Sequence, residues 1–285
     1  LNKLTGAEIW RSDAECQAHY SSPIVIRALG AALVVQGTGS GLVAVNAAGT
    51  AVGTSGILNP AHVSHTDHRA VRWDASSTVA TALDSLGTDS DGHAHCEALA
   101  INDAGTAVGW AIKFDGAPLG RFAVRWDASG TAVTELESLG VNASGVVIAR
   151  AVAINSSGTT VGCAEKYVNG RSEERAVLWL PDGSIVDLND LGLTSVSEAG
   201  TWVLGAALTI SDDGWVAGSG IFFPDAPTEG YCRAWVTQVG LGGNWTNAVG
   251  GTWGRGPNWS IGTPAMQVGH ARFDLDSTYT VELDR

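Results

Sequence analysis

The sequence predicts an all-β chain: a β-propeller of four four-stranded blades carrying a C-terminal β-hairpin, with a fifth blade if the Ala7-Glu-Ile-Trp10 stretch counts as another copy. Three observations lead there. A hairpin phrase recurs in fixed order, an aromatic phrase recurs at constant spacing, and helical periodicity is nearly absent.

The hairpin phrase is Ala-Val-Asn46-Ala-Ala-Gly49-Thr-Ala-Val-Gly53. It returns around Asn102 and Gly105, again around Asn155 and Gly158, and in worn form around Ser211 and Gly214. The glycines at 49, 105, 158 and 214 are 56, 53 and 56 residues apart. A polar residue, two small ones and Gly suit a type I turn that closes through a left-handed position. The Asn oxygen can cap its own turn there, and Gly adopts φ > 0 without steric cost. The flanks alternate small or polar residues with Val and Ile, the period of a half-buried strand.

The second phrase, Arg69-Ala-Val-Arg-Trp73, is echoed at Phe122–Trp126 and Arg175–Trp179, and shortened at Cys232-Arg-Ala-Trp235. A spacing of 53 between Trp73, Trp126 and Trp179 marks these indoles as wedges between neighbouring sheets rather than ligand-stacking groups. A third phrase ends in Leu86-Gly87, Leu139-Gly140 and Leu191-Gly192, with an early copy at Leu29-Gly30. Each period thus reads strand, tight turn, strand, variable loop, strand, short turn, strand. The last copy lacks a strand after Trp235. The stretch from Ile24 to Leu29 would supply it, closing the ring and removing both open edges.

This alternation resembles the HAF-type extracellular repeats of secreted bacterial proteins, over roughly residues 20 to 238. The naming tripeptide His-Ala-Phe is replaced here by Arg69-Ala-Val, Phe122-Ala-Val, Arg175-Ala-Val and Arg233-Ala-Trp, so the hairpin phrase carries most of the match. The resemblance implies a β-propeller and an extracellular or cell-surface location, and it transfers no catalytic residue. Three segments follow: an N-terminal extension (1–19), the repeat domain (20–238) and a Trp-, Gly- and Asn-rich tail (239–285).

Net charge is −13, with lysine only at positions 3, 113 and 166, so nucleic acid is excluded as a partner class. No apolar run approaches the twenty or so residues of a membrane-spanning helix. Four cysteines suit an oxidising compartment. Register within the repeat places Cys96 just before the first strand of one blade and Cys163 just after the second strand of the next. Those points share one face of the disc, so Cys96–Cys163 is expected as a disulfide. Cys16–Cys232 would then tie the extension to the last blade. No Cys-x-x-Cys spacing is present, so a zinc finger is not expected.

Five of the seven histidines fall within 34 residues: His62, His65 and His68 in a loop of the first blade, and His93 and His95 beside Asp89-Ser-Asp91-Gly92. Imidazoles and carboxylates in this pattern are candidate metal ligands, and Asp89 with Asp91 opens like a calcium loop, although the bidentate Glu of such loops is missing. Solvated loop histidines are the plainer expectation. No nucleophile elbow and no dinucleotide fingerprint occurs, and no convergent acid–base pair stands out, so enzyme function ranks last.

The tail alternates at Ala271–Leu275 and Tyr279–Leu283, and its Trp-Asn-Gly density resembles the opening of β-solenoid domains of large secreted proteins. A lone hairpin is marginal in water. Trp10, Trp245, Trp253, Trp259, Phe273 and Tyr279 are therefore expected at contacts between subunits. The first functional expectation is a non-enzymatic extracellular structural or adhesive protein that self-associates through its terminal strands. The second is a monomeric propeller that binds carbohydrate or protein. Sequons occur at Asn142, Asn155, Asn244 and Asn258, but Asn155 is already explained by its turn and the sequons carry little weight in a bacterial chain; glycosylation on Ser or Thr stays open.

Overall fold

In the computed structural model, residues 24–28, 31–35, 42–59, 64–75, 77, 79–191, 200–224, 229–239, 242–244, 251–252, 270–272 and 281–282 are described. The chain is all-β, and no helix among these residues is long and apolar enough to cross a membrane. β1 (Ile24–Ala28) and β2 (Ala31–Val35) form an antiparallel pair. The first four-stranded sheet is β3 (Leu42–Val45), β4 (Ala51–Asn59), β5 (Ser64–Trp73) and β6 (Ala80–Ala82), in that order. The second is β7 (Cys96–Ile101), β8 (Ala107–Asp115), β9 (Ala117–Trp126) and β10 (Val133–Glu135). The third is β11 (Val147–Ile154), β12 (Thr160–Val168), β13 (Arg171–Trp179) and β14 (Ile185–Asp187), and a short parallel pairing of β11 with β9 joins it to the second in one continuous eight-stranded arrangement. The fourth has β15 (Thr201–Ile210), β16 (Trp215–Phe223) and β17 (Tyr231–Gln238).

The hairpin phrase does what its residues predict. Asn46, Asn102 and Asn155 accept the amides of Thr50, Thr106 and Thr159 at 3.0, 3.0 and 2.9 Å. The turn glycines 49, 105, 158 and 214 all lie near φ +85°, in the left-handed region. The glycine closing the phrase has a different cause. A Cβ on Gly109 would fall 1.9 Å from the Glu97 carbonyl, beside a register shift between Ala98 and Ala100. Gly162 repeats this against Arg150 at 2.0 Å.

Consecutive sheets are joined by repeating contacts. Trp126 is fully buried with Val52 and Ala70 of the first sheet, and its indole donates to the Asp84 carbonyl at 2.9 Å. Trp179 does the same one repeat later, against Val108 and Ala123, donating to Glu137. Trp235 packs with Val161 and Ala176 of the third sheet. Trp73, on the first sheet, is only half-buried. The arginine preceding each of the first two tryptophans reaches forward: Arg72 to the Ala128 and Gly130 carbonyls, Arg125 to that of Pro181. Each turn asparagine also donates its free Nδ2 onward, from Asn46 to the Asn102 carbonyl, Asn102 to Asn155, and Asn155 to Ser211. Both ends of the buried Asn155 amide are thereby used, so its sequon offers no glycan attachment point.

Four expectations are corrected. Residues 24–28 pair with β2, and β17 takes β16 as its one neighbour among the described residues, so the foreseen ring closure is not made. The "variable loops" are largely strand: β8 and β9 are separated by Gly116 alone, and β12 and β13 by Asn169 and Gly170, whose φ values of 50° and 82° make a tight primed turn. Among the described residues of the tail, the two alternating runs do not pair with each other as a hairpin. β18 (Gly242–Asn244) pairs in parallel with β20 (His270–Arg272), and β19 (Gly251–Thr252) in parallel with β21 (Val281–Glu282). Parallel neighbours need a crossover between them, which a hairpin cannot supply.

The fourth correction is the disulfide. Cys96, Cys163 and Cys232 are all free. The pleat explains why. Cys96 packs with the first sheet and accepts the Ala70 amide at 3.3 Å. Cys163 shares its side of β12 with Val161, which packs toward the fourth sheet, so the sulfur turns away from the second sheet altogether. It takes Arg150 Nε at 3.2 Å instead. Burial pushes both thiols above their ordinary value, which makes them poor nucleophiles. Cys16 lies outside the described residues.

Candidate functional site

The densest group of ligand-type side chains lies where the first sheet meets the second. β5 and the residue before β7 run in parallel there through a His68–His95 bridge, with the His68 amide donating to the Ala94 carbonyl at 2.9 Å. Asp67 is buried beneath this bridge. One of its oxygens accepts the Ala94 amide and the other Arg69 Nε, each at 2.9 Å. The strand that delivers His93 and His95 is thereby held from below.

Asp89 organises the preceding loop. Its Oδ1 accepts the amides of Asp91 and His93, both at 2.9 Å, while its own amide donates to the His93 carbonyl. The His93 amide above all holds its carboxyl below the ordinary value of 3.8; burial opposes it, and the Asp91 amide adds to the lowering. Oδ2 is left pointing at two imidazoles, 3.5 Å from His93 Nδ1 and 3.7 Å from His95 Nε2. Ligand atoms of Asp89, Asp91 and His93 lie within 4.8 Å of one another. The His95 ring stacks on His68 at 6.2 Å between centroids and meets Phe114 at 6.0 Å.

One repeat on, the same turn is built without these groups. Asn142 Oδ1 accepts the amides of Ser144 and Val146, at 2.9 and 3.1 Å, and its Nδ2 donates to Glu165. β9 and β11 then pair in parallel through Gly120–Val147 and Arg121–Ile148. Asp89, Asp91, His93 and His95 thus correspond to Asn142, Ser144, Val146 and Ile148.

A second concavity, a cleft of about 530 Å³, opens between the third and fourth sheets. Arg171, Glu173 and Glu174 face Val203, Ile221 and Phe223 across it, and Cys232 lies at its edge. Arg175 is paired with Glu173, so that carboxylate is already engaged.

Of the metal-ligand candidates in the sequence, Asp89, Asp91 and His93 come together here, while His68 reaches the group only through its ring contact with His95. His65 sits on β5 rather than in a loop, and His62 lies outside the described residues. His93 and His95 prove more central than the first histidine group, because the Asp89 turn directs them back onto its own carboxylate. Trp10, Trp245, Trp253, Trp259, Phe273 and Tyr279 lie outside the described residues. Sequence reasoning missed Asp67 entirely, since an acidic residue inside a strand carries no motif.

No family model matches the chain, and no curated protein matches it. Among solved structures, the crystal structure of TolB from Acinetobacter baumannii is similar to it over 72% of this chain and 48% of that one, at 15% identity and a TM-score of 0.37. The chain spans about half the length of that structure.

Proposed function

We propose that the protein is a non-enzymatic scaffold with its four sheets arranged as propeller blades, acting as an extracellular structural or adhesive subunit that associates through its terminal segments. The propeller arrangement is supported by contacts that repeat from sheet to sheet: the tryptophan wedges, the arginine bridges and the asparagine ladder. The extracellular setting rests on the repeat resemblance, and a net charge of −13 keeps such a subunit dispersed until a specific contact forms.

One observation carries the assembly reading. Three sheets own a fourth strand, and β17 has β16 as its one neighbour among the described residues. Tyr231 and Val236 on that strand are 51% and 54% exposed. An edge strand of eight residues is a template for strand addition. The alternating runs 271–275 and 279–283 of a neighbouring copy have the length and pattern to occupy it.

The test is light scattering and electron microscopy on the full chain, on a chain lacking 239–285, and on Val236→Lys, which puts a charge on the edge strand. Concentration-dependent assembly of the full chain, lost in both variants, is the expected result. A full chain that stays monomeric at high concentration overturns this reading. It would favour the second one, a monomeric binding module using the charged and apolar cleft between the third and fourth sheets.

A further inference from the structure

We propose that Asp89, Asp91 and His93, with His95 beside them, bind a divalent transition-metal ion at the junction of the first two sheets. The distances are those of ligands awaiting an ion rather than of groups bonded to each other. A good N–H···O bond spans about 2.7–3.2 Å, whereas Asp89 Oδ2 stands 3.5 Å from His93 Nδ1 and 3.7 Å from His95 Nε2. Ligands about 2.1 Å from a tetrahedral ion are separated by about 3.4 Å. Asp91 is exposed, so rotation of its side chain is enough to bring its carboxylate, already within 4.8 Å of the other two, into the same sphere.

Preorganisation supports this geometry. Two backbone amides fix Asp89 through Oδ1, which leaves Oδ2 aimed at the imidazoles without further ordering. The Asp67–Ala94 bond and the Phe114 contact fix the strand and the ring behind the ligands, the outer support that a metal site needs. Mixed imidazole and carboxylate donors select zinc, cobalt or nickel over calcium, which takes six to eight oxygens.

The molecule contains its own control. The turn at Asn142 forms with Ser144, Val146 and Ile148 in the corresponding places. The fold therefore asks only for a side-chain oxygen at the first position. It does not account for Asp91, His93 or His95.

The experiment uses the full, tag-free chain stripped with a chelator. Co²⁺ is titrated by visible absorption, and Zn²⁺ and Ca²⁺ by calorimetry. Asp91→Ser with His93→Val copies the neighbouring loop, so the backbone turn has a demonstrated solution for those residues. One equivalent of Zn²⁺ or Co²⁺ is expected in the parent chain. Outer-shell changes alone weaken metal sites about 10–100-fold, so the double variant should bind at least about ten-fold more weakly, with an unchanged far-ultraviolet spectrum. Should it fail to fold, Asp91→Ser alone carries the test, with the same direction of change. The proposal is overturned by a parent chain that binds no transition metal, by affinity unchanged in these variants, or by Ca²⁺ binding more tightly than Zn²⁺.

Discussion

The loop from Asp89 to His95 and the loop from Asn142 to Ile148 make the same turn with different chemistry. In both, a side-chain oxygen accepts the amides two and four residues ahead. In the second loop the other end of that side chain is a donor, satisfied by Glu165. In the first it is a carboxylate oxygen facing His93 and His95. The two junctions also brace themselves differently. Asp67 supplies a buried carboxylate at the first, while Gly120 at the same repeat position lets the backbones approach directly at the second. What both loops share is the requirement of the fold. What they do not share is available for function.

The largest effects should come from the feature the junctions have in common. Removing Trp126 or Trp179 should each cost about 4 kcal/mol, as large buried aromatics do, read as the midpoint of urea unfolding. The two variants should differ in one respect: Trp126→Ala loosens the first junction and should weaken metal binding, whereas Trp179→Ala, if folded, should leave it intact. Equal loss of binding in both would break the comparison.

Intermediate effects should separate the two braces. Asp67→Ala strands the buried Ala94 amide and frees Arg69, at a cost of about 2 kcal/mol. Gly120→Ala places a Cβ 2.1 Å from the Val147 carbonyl at φ +130°, and strain of that kind costs about 1–3 kcal/mol. Amide exchange should rise at Ala94 in the first variant and around Val147 in the second. Exchange that rises at both junctions in either variant would show that they open as one unit.

The smallest effect is the most diagnostic. The Asp89 carboxyl is held below 3.8 in the folded chain, so the folded state gives up its proton more readily than the unfolded one. Its contribution to stability is complete above the unfolded value and is lost as pH falls through the lowered one. Asp89→Asn, copying Asn142, should flatten this part of the acid-unfolding profile below about pH 4 and leave metal-free stability at neutral pH almost unchanged. A large loss at neutral pH would mean that the carboxylate is required by the turn itself.

The sequence was legible wherever structure is local. The turn phrase, its capping Asn and its left-handed Gly need only neighbours a few residues away. Spacing identifies the wedge role of Trp126 and Trp179, but not that of Trp73, which has the same spacing and is only half-buried. Contacts between sheets were harder to read. Nothing in the text distinguishes the Asn155 Oδ1 that caps its turn from the Nδ2 that reaches Ser211. Arg72 and Arg125 look like surface charge until Ala128 and Pro181 are seen opposite them. The Cys96–Cys163 pairing failed on pleat parity, since position along a strand does not reveal which face a side chain takes. The tail misled for a related reason: alternation marks a strand without saying whether its partner runs parallel.

The asparagine ladder gives the array a direction. Each side-chain amide points forward, from 46 to 102 to 155 to 211, and none points back. Every sheet therefore shows one chemistry to its predecessor and another to its successor, a head-to-tail join of the kind that either closes on itself or grows without limit. Among the described residues the series ends at Ser211, whose hydroxyl is bonded to Asp213 and has no amide to pass on. A serine in place of asparagine thus leaves the fourth turn as a receiver only, without the forward-pointing donor that the other three carry.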